Sequence, residues 1–570
     1  MSDSLYESGP RIGKREWIAI AALVALCAVC FFALLGGVPL LGKDEPRYAQ
    51  VAREMYESGD WITPRLAGHM WFEKPALPYW MMAAAYAVFG TNEFAARFGS
   101  ALLATVSVFL VYAMGRRAGG PRQAVISAAI LVSSALWFAF ARGAGFDMPL
   151  AATITGALAA FFFYDIDESD RRRLAWSAAA GLWTGASMLA KGLAGPLLLT
   201  LVVVAYLVVT GGWRRVRLLH VAAALAATAA VAAVWYVPVY ARNGWPFIEE
   251  FFVNHHFRRY LTNKYHHPQP VYFYLLIVIG GLLPWTFLIV ARLKELAATL
   301  WHRAANPGDR MVVLATVWVV VPVVFFSAST SKLPGYILPV FPGLALLAGW
   351  SVDRIIESGR GRWALFGTGA TVAGLGIGFS VYAARALSAP RSEILAIAIP
   401  LAVAGVCVVL AAARGRVEQA VWIGSAGMAC AVLLIATFLF AELANRESLA
   451  DLSRSAGAAL TPGEQVVLFG VVEYTPVFYV DGRMAVDETG EVLVADSYAQ
   501  LDAAIGESPT SSVLCITDER RAADLSAHGE YRVQRIAAQR DRVLLRVATS
   551  SQASLRSGPA RLEPLFAEAA

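Results

Sequence analysis

The sequence predicts a polytopic, all-α membrane domain followed by a small α/β soluble domain. The chain has 570 residues, of which 58% are hydrophobic and only 16% are charged, and its mean hydropathy is +0.55. Soluble domains carry about a quarter charged residues, so the composition excludes an ordinary soluble protein and a disordered one. From residue 443 onward, strand-like runs at 466–471, 512–517 and 542–547 alternate with polar helical stretches, which is typical of an α/β domain.

Apolar stretches of about 20 residues cross a hydrocarbon core roughly 30 Å thick. The sequence predicts thirteen such spans, at 17–41, 94–114, 123–140, 147–164, 174–191, 194–211, 218–240, 271–292, 311–327, 334–350, 363–384, 393–413 and 419–441. The stretch 75–90 is apolar too, but it is short and proline-containing. It therefore predicts a helix that lies at the interface or re-enters the membrane.

Lys and Arg residues cluster in alternate connections between the predicted spans, and the positive-inside rule makes those connections cytoplasmic. The long connections at 42–93 and 241–270 then face outward. Thirteen crossings also place residues 443–570 outside, which is the periplasm if the source is a Gram-negative bacterium. The formal charge changes at the same boundary, from +12 over residues 1–442 to −6 over residues 443–570.

Some classes of chemistry are excluded at this stage. Four of the five cysteines lie in apolar runs and only Cys515 lies in a polar region, so the sequence predicts neither a disulfide framework nor a cysteine metal pair. The chain also lacks a P-loop and a convincing dinucleotide-binding fingerprint. We therefore expect no nucleotide and no nucleic acid among its partners.

The first predicted outer loop begins, directly after a span, with Asp44 and Glu45, followed closely by Arg47 and Tyr48. Two adjacent carboxylates at this position would suit a substrate ammonium, a metal ion or a developing positive charge. The alternative is helix capping, because acidic residues before a proline are common at helix starts. Arg47 and Tyr48 lie where a lipid headgroup would emerge, so we include them among the substrate-binding candidates.

Further candidates lie in the same loop and in the next outer connection. Glu73 and Lys74 form a charged pair between aromatic residues and the predicted interfacial helix. Lys74 would hold a lipid phosphate at headgroup depth, or else it snorkels to the interface. Arg142 and Asp147 flank a glycine-rich connection. They form either part of a site or a helix cap with a neighbouring arginine.

Three more candidates lie between later spans. Lys191 is a lone cation in an apolar hairpin, and ionisable residues at such depth are functional candidates unless they cap a helix end. Lys332 and Tyr336 belong to a hydroxyl-rich outer segment. Their combination of an ammonium and hydroxyl groups suits an oxyanion.

The outer loop 241–270 contains four of the eight histidines and two adjacent arginines. Arg259 suits bidentate phosphate contacts. A zinc-type metal site built from Glu73, His256 and His267 is one interpretation of the histidines. The alternative is that they donate hydrogen bonds to phosphate or headgroups, so no cofactor is certain.

These segments, in this order, resemble the GT-C class of polyprenyl-phosphate-sugar glycosyltransferases, relatives of the protein O-mannosyltransferases. The resemblance is greatest to the bacterial 4-amino-4-deoxy-L-arabinose (aminoarabinose) transferases that modify lipid A. It covers most of the membrane part and rests on KDEPRYA, WFEKP, RGAGFDMP, KGLAG, the loop with HF-R-Y and H-P, and SKLPGYILPVFP. It implies that Asp44 is the key acidic residue and that Asp147 is a second one. It also implies that Lys74, Arg259 and Tyr336 lie near the lipid phosphate.

The function that the resemblance implies is an inverting pentosyl transfer from undecaprenyl phosphate to a lipid A phosphate. The reaction would occur at the outer face of the bacterial inner membrane, and such lipopolysaccharide modification would confer polymyxin resistance. Two alternatives stay open: a GT-C transferase for a different sugar or a protein acceptor, and a lipid or solute transporter. Against transport, the sequence has no evident inverted repeat, and its charges concentrate at one face rather than at the midplane.

Overall fold

Helices make up most of the chain in the computed structural model. It describes residues 12–258, 269–299, 306–329, 331–386, 390–438, 448–487 and 492–550, with side chains omitted at 254–258 and 386. The α-helices up to the first long π-helix are α1 Lys14–Cys27, α2 Asp44–Ser58, α3 Leu77–Phe89, α4 Glu93–Gly119, α5 Pro121–Val132, α6 Ala135–Ala141, α7 Asp147–Ile166, α8 Asp170–Lys191, α9 Ala194–Thr210, α10 Leu218–Asn243 and α11 Trp245–Ile248. A π-helical segment, Glu249–Arg258, follows α11.

The later helices include the last long apolar ones and the helices of the C-terminal domain. They are α12 Phe273–Gly281, α13 Thr286–Val290, α14 Leu293–Thr299, α15 Pro307–Ser327, α16 Phe341–Ser358, α17 Trp363–Ala386, α18 Arg391–Ala413, α19 Val417–Phe438, α20 Ala450–Ala459, α21 Thr475–Tyr479, α22 Tyr498–Glu507 and α23 Glu519–Ala527. Shorter turns extend or join some of them: the π-helix Ala28–Phe32 and the 3-10 helices Gly212–Arg215 and Pro334–Val340.

By length and composition, nine helices within the described ranges could cross a membrane, or ten if the bent pair α5 and α6 forms one span. The chain is thus a multi-pass membrane protein, but the predicted count of thirteen spans is not confirmed. Helices α5 and α6 meet at an angle of 65°. The predicted span 271–292 is divided between α12 and α13, and α9 has only 17 residues.

The chain divides into two compact units. The first comprises residues 1–35, 100–234 and 267–439, and it contains most of the long apolar helices. Within it, α17 and α18 pack closely because both carry glycine at the contact. A Cβ added to Gly369 would lie 2.6 Å from the carbonyl oxygen of Gly405, so small residues allow these two backbones to approach, as in other membrane helix pairs.

The second unit comprises residues 36–99, 235–266 and 440–570. The first predicted outer loop therefore belongs to the same unit as the C-terminal domain. Helix α3 occupies most of the stretch 75–90; its 13 residues extend about 20 Å at 1.5 Å per residue. That length is too short to cross the bilayer core. A two-stranded hairpin, β1 Arg65–Leu66 and β2 His69–Met70, lies in the same loop.

The C-terminal domain is built on a five-stranded sheet in the order β4-β3-β5-β7-β6. Its strands are β3 Val466–Phe469, β4 Val494–Ala495, β5 Ser512–Asp518, β6 Tyr531–Gln539 and β7 Arg542–Thr549. The three predicted strand-like runs are confirmed as β3, β5 and β7. Strand β3 pairs in parallel with β4 and β5, whereas β7 pairs antiparallel with β5 and β6. Cys515 is buried in this sheet, and burial raises the pKa of its thiol to about 12.

Candidate functional site

Four predicted site residues from the first outer loop meet in the second unit. Asp44 and Arg47 lie in the first turn of α2, and Glu73 and Lys74 lie just before α3. The Lys74 ammonium donates to Glu73 Oε1 at 2.7 Å, and Arg47 Nη1 lies 3.7 Å from Glu73 Oε2. We call these four residues the outer-loop cluster. The structure thus brings together two pairs that are 26 or more positions apart in the sequence.

Arg47 is the centre of the outer-loop cluster. Its Nη2 donates to Asp44 Oδ1 at 2.7 Å and its Nε donates to the Lys43 carbonyl oxygen at 3.1 Å. The side chain is only 6% exposed. Burial by itself lowers the pKa of Arg47, but the charges of Glu73 and Asp44 outweigh burial and raise it above its ordinary value. The guanidinium therefore keeps its positive charge although it is buried.

Aromatic rings surround this guanidinium. Its Cζ lies 5.4 Å from the ring centre of Trp71 and 5.9 Å from that of Tyr48, within the range of cation–π attraction. Tyr48 also packs edge-to-face against Tyr79 at 6.3 Å. Burial, reinforced by the negative charge of Glu73, raises the pKa of both phenols well above the ordinary value. Both hydroxyl groups therefore stay protonated near neutral pH and can donate hydrogen bonds.

Asp44 is the open member of the outer-loop cluster. Its side chain is 63% exposed, whereas those of Glu73 and Lys74 are 14% and 13% exposed. Asp44 is the first residue of α2, where the helix dipole favours a carboxylate. One oxygen is oriented by Arg47, and the group remains accessible to a substrate. The N-cap residue of α2 is Lys43, so Asp44 does not occupy the capping position of this helix.

A buried ion pair fixes the chain that leads into α2. Arg97 donates to both oxygens of Glu45, at 3.2 and 2.7 Å, and to the carbonyl oxygens of Val38 and Pro39 at 2.6 and 2.8 Å. Glu45 also accepts from the Leu41 backbone N–H at 2.9 Å. The contacts hold the segment directly before Asp44. Glu45 is thus a structural anchor rather than a second open carboxylate.

A second group of predicted residues meets in the first unit. Asp147, the first residue of α7, forms an ion pair with Lys191, the last residue of α8. The Lys191 ammonium also lies 5.1 Å from the ring centre of Tyr336. Asp147 and Lys191 are 25% and 19% exposed. Lys191 thus pairs with an acid and an aromatic ring, as expected for a functional cation or for a helix-end ion pair.

Gly335 permits the close packing around Asp147. A Cβ added to Gly335 would lie 2.5 Å from Cγ of Asp147, closer than non-bonded carbon atoms can approach. We expect Gly335→Ala to displace the Asp147 carboxylate and to lower the free energy of unfolding by about 1–3 kcal/mol, the usual cost of overpacking. Urea titration of the purified protein in detergent measures this loss.

Gly145→Ala is the matched control for this prediction. Gly145 precedes α7 by two residues, and a Cβ there would meet no atom within 4 Å. The control should therefore unfold like the parent protein. If Gly335→Ala and Gly145→Ala have the same free energy of unfolding, Asp147 does not require the space beside Gly335.

Two other predicted residues bind backbone carbonyl groups. Arg142 donates to the carbonyl oxygens of Cys30, Ala33 and Leu34, at 3.2, 2.9 and 3.2 Å, at the end of the first helix. Lys332 is 5% exposed and donates to the carbonyl oxygens of Gln269 and Ser329. These contacts give both residues a structural role, and a substrate-binding role stays a prediction for each.

The predicted metal site has only one residue whose side chain is described. Arg259 and His267 lie outside the described residues, and for His256 only the backbone is described. Glu73 contacts the cations Lys74 and Arg47. Within the described part of the chain, no group of three or more His, Cys, Asp or Glu residues could hold a metal ion. The metal site and the phosphate contact of Arg259 therefore stay predictions.

Two features of this region were not predicted from the sequence. Tyr474 of the C-terminal domain places its ring 5.3 Å from Arg47 Cζ, but it lies in an acidic region without a recognisable motif. Arg97 lies near the start of a predicted span, and its position among apolar residues is a signal that could have identified it. Its partner Glu45 was predicted, together with Asp44, to face a substrate or a metal ion, whereas both of its oxygens accept from Arg97.

The class of protein follows from the fold and from comparison with solved structures. The chain has the fold of ArnT from Cupriavidus metallidurans bound to undecaprenyl phosphate, with a TM-score of 0.78 and 29% identity over 96% of this chain and 100% of that one. The apo state of the same protein matches with a TM-score of 0.76 and 28% identity, over 92% and 97% of the two chains. The predicted GT-C fold is therefore confirmed.

The sequence comparisons point to particular relatives. Residues 73–239 match the family model of dolichyl-phosphate-mannose-protein mannosyltransferases. An undecaprenyl phosphate-alpha-4-amino-4-deoxy-L-arabinose arabinosyl transferase of Pseudomonas fluorescens is 32% identical over 61% of this chain and 62% of its own length. One from Pseudomonas aeruginosa is 34% identical over 60% of each chain. The match thus spans about three-fifths of these curated relatives, and the resemblance to aminoarabinose transferases is confirmed.

Proposed function

We propose that this protein transfers 4-amino-4-deoxy-L-arabinose from undecaprenyl phosphate to a phosphate group of lipid A at the outer face of the inner membrane. The observation that carries the proposal is the outer-loop cluster, where an open carboxylate, Asp44, adjoins buried and half-buried cations. The likeness to a structure bound to undecaprenyl phosphate supports the same donor for this chain. The names of the relatives in Pseudomonas support the sugar.

The chemistry follows from the charges of the two substrates. A lipid A phosphate is largely ionised near neutral pH, so its oxygen can attack the anomeric carbon without a strong general base. The bond between that carbon and the phosphate oxygen of the donor breaks, and undecaprenyl phosphate leaves with the electron pair. The acceptor loses one negative charge and the leaving group gains one, so no net proton transfer is required. A single displacement inverts the anomeric centre.

The residues take different parts in this proposal. Asp44, oriented by Arg47, stabilises positive charge on the sugar as the bond breaks, and Lys74 stabilises the departing phosphate. Asp147, Lys191 and Tyr336 supply the second polar group, and we assign it to substrate positioning. Arg259 remains a proposed phosphate ligand.

Lys74→Ala is expected to weaken binding of undecaprenyl phosphate by about 1.5–3 kcal/mol, the value of a charge-assisted hydrogen bond. Alanine removes the ammonium, and Glu73 keeps a contact with Arg47. Scintillation proximity binding of labelled undecaprenyl phosphate to the purified protein measures the change. Arg259→Ala should weaken binding by a similar amount.

Lys294→Ala is the control for the binding measurement. Lys294 is exposed and belongs to a predicted cytoplasmic connection, so its loss should leave the affinity unchanged. If Lys74→Ala binds the lipid as tightly as the control variant does, the phosphate site must lie elsewhere.

The location of the C-terminal domain is part of the proposal. The basic connections and the predicted span count favour a periplasmic position for residues 443–570. Protease added to intact spheroplasts should therefore remove the domain, whereas a cytoplasmic epitope tag near residue 215 should survive. Complete protection of the domain in spheroplasts, with digestion after lysis, would contradict this location.

An assay of the purified protein with labelled donor lipid and lipid A distinguishes sugar transfer from lipid transport. Formation of a covalent bond between sugar and lipid A supports the proposed enzyme. Movement of the lipid across vesicle membranes without bond formation supports a transporter. Mass spectrometry of lipid A from cells with and without the protein identifies the sugar and the acceptor.

A further inference from the structure

A tyrosine of the C-terminal domain reaches the outer-loop cluster. Tyr474 directly precedes α21 and is half-buried. Its ring centre lies 5.3 Å from Arg47 Cζ and 5.1 Å from the ammonium nitrogen of Lys43. One ring thus attracts the two cations that flank Asp44 in the sequence.

The helix that follows Tyr474 is anchored to the same loop. At its end, the Tyr479 hydroxyl accepts from the Leu40 backbone N–H at 3.1 Å and donates to Glu93 Oε1 at 2.8 Å. Arg454 donates to the same Glu93 oxygen at 2.9 Å and lies over the Tyr479 ring at 4.7 Å. Helix α21 is therefore tied both to the segment before α2 and to the start of α4, which fixes the position of Tyr474.

A second contact ties α2 itself to the residues after α21. Arg53 donates to Glu57 on its own helix at 2.7 Å and contacts Asp481 at 2.9 Å. Both anchoring contacts follow Tyr474 in the sequence, at residues 479 and 481, and they hold this stretch of the C-terminal domain beside α2. The C-terminal domain has an acidic formal charge, yet the group it offers to Arg47 is a neutral ring.

We propose that Tyr474 is a positioning residue, through which the C-terminal domain completes the outer-loop cluster. Its ring holds the Arg47 guanidinium so that Nη2 faces Asp44 and Nη1 faces Glu73. Because the Tyr474 ring carries no formal charge, it orients the Arg47 guanidinium without competing with Asp44 for the ion pair with Arg47. This inference rests on the proposed function, and it assigns to the C-terminal domain a positioning part in sugar transfer, exerted through Arg47.

Three variants test this role. Tyr474→Leu removes the ring but keeps an apolar side chain, and we expect kcat for sugar transfer to fall by about three- to thirtyfold, the range of cation–π energies. KM for the donor lipid should change less, because Lys74 keeps its contact with Glu73. Tyr474→Phe keeps the ring and should retain kcat within about twofold.

Tyr498→Leu is the matched control. Tyr498 is also a half-buried tyrosine of the C-terminal domain, but its ring stacks on His528 at 4.5 Å, within that domain. It should keep the parental kcat. If it loses as much activity as Tyr474→Leu does, or if Tyr474→Phe is as impaired as Tyr474→Leu, the proposed role of the ring is wrong.

A labelling experiment reads the position of Arg47 without relying on sugar transfer. Phenylglyoxal modifies exposed guanidinium groups, and peptide mass spectrometry reports Arg47 separately from the buried reference Arg97. Tyr474→Leu should raise the labelling rate of Arg47 relative to Arg97 at least about threefold, whereas Tyr474→Phe and Tyr498→Leu should not.

The two readouts distinguish the failure of this inference from the failure of the proposed function. A parent protein that transfers no aminosugar contradicts the proposed function, while increased Arg47 labelling in Tyr474→Leu still supports the positioning contact. Parental labelling together with parental kcat in Tyr474→Leu would overturn the inference and leave the proposed function intact.

Discussion

Replacing Asp44 with asparagine is expected to lower the rate of sugar transfer by a hundredfold or more, with donor binding close to normal. Asparagine keeps the size of the side chain and its suitability for a helix start, so the substitution removes mainly the negative charge. A preorganised electrostatic group contributes about 2.7–4 kcal/mol to transition-state stabilisation. Steady-state transfer of labelled aminosugar to lipid A, with lipid binding measured in parallel, tests this expectation.

The structure offers a matched control for this substitution. Glu57 lies on the same helix, is 48% exposed and pairs only with the side chain of Arg53 among the contacts described for it, so Glu57→Gln should transfer sugar at the parental rate. Asp147→Asn should show an intermediate loss, because we assign that residue to positioning. If Asp44→Asn transfers sugar at the rate of the control variant, Asp44 is not the catalytic carboxylate. Asp147 is then the next candidate for that role.

The outer-loop cluster was partly predictable because its charged pairs are close in the sequence. Asp44 and Arg47 are three positions apart on one helix, where side chains three or four residues apart are neighbours. Glu73 and Lys74 are adjacent. The meeting of the two pairs depends on the path of the chain between α2 and α3, which no local pattern encodes. Family resemblance, rather than spacing, brought both pairs into one hypothesis.

The contacts of other cations required the structure. Arg142 and Lys332 are charged residues in predicted outer connections, which favoured an anionic ligand, but both donate to backbone carbonyl groups. A cation next to a helix end satisfies carbonyl groups that have no partner within the helix. Sequence alone does not separate these roles.

Tyr474 is more than 400 positions from Arg47, and a single aromatic residue in an acidic domain gives no pattern to detect.

The membrane part shows what hydropathy predicts and what it misses. Long uniform stretches such as 393–413 coincide with a complete helix, Arg391–Ala413. The stretch 271–292 is equally apolar, but Gly280, Gly281 and Pro284 lie where its helices are interrupted. Hydropathy averages over a window and is insensitive to such breaks, whereas proline and glycine weaken the helix locally. A predicted span can therefore correspond to two short helices.

Replacing Arg97 with methionine is expected to lower the free energy of unfolding by about 3–5 kcal/mol, the cost of removing one partner from a buried ion pair. Arg97 and Glu45 have side chains 5% and 15% exposed, so the substitution leaves a carboxylate in a poorly solvated place. It also deprives the Val38 and Pro39 carbonyl groups of their donor. Unfolding by denaturant in mild detergent, followed by tryptophan fluorescence, measures the change.

A second substitution separates the charge from the packing at this site. Adding Glu45→Gln to Arg97→Met removes the unpaired charge and keeps an oxygen that can accept from Leu41 N–H, so part of the lost stability should return. Arg53→Met, which breaks the pairs with the exposed carboxylates of Glu57 and Asp481, should cost only about 0–1 kcal/mol per pair. If Arg97→Met costs no more than Arg53→Met, the buried pair does not hold the segment before Asp44. That segment leads into the first turn of α2, so a large loss of stability in Arg97→Met should be accompanied by a loss of sugar transfer. Adding Glu45→Gln should restore stability. With it should return only the part of the activity that depends on the position of Asp44.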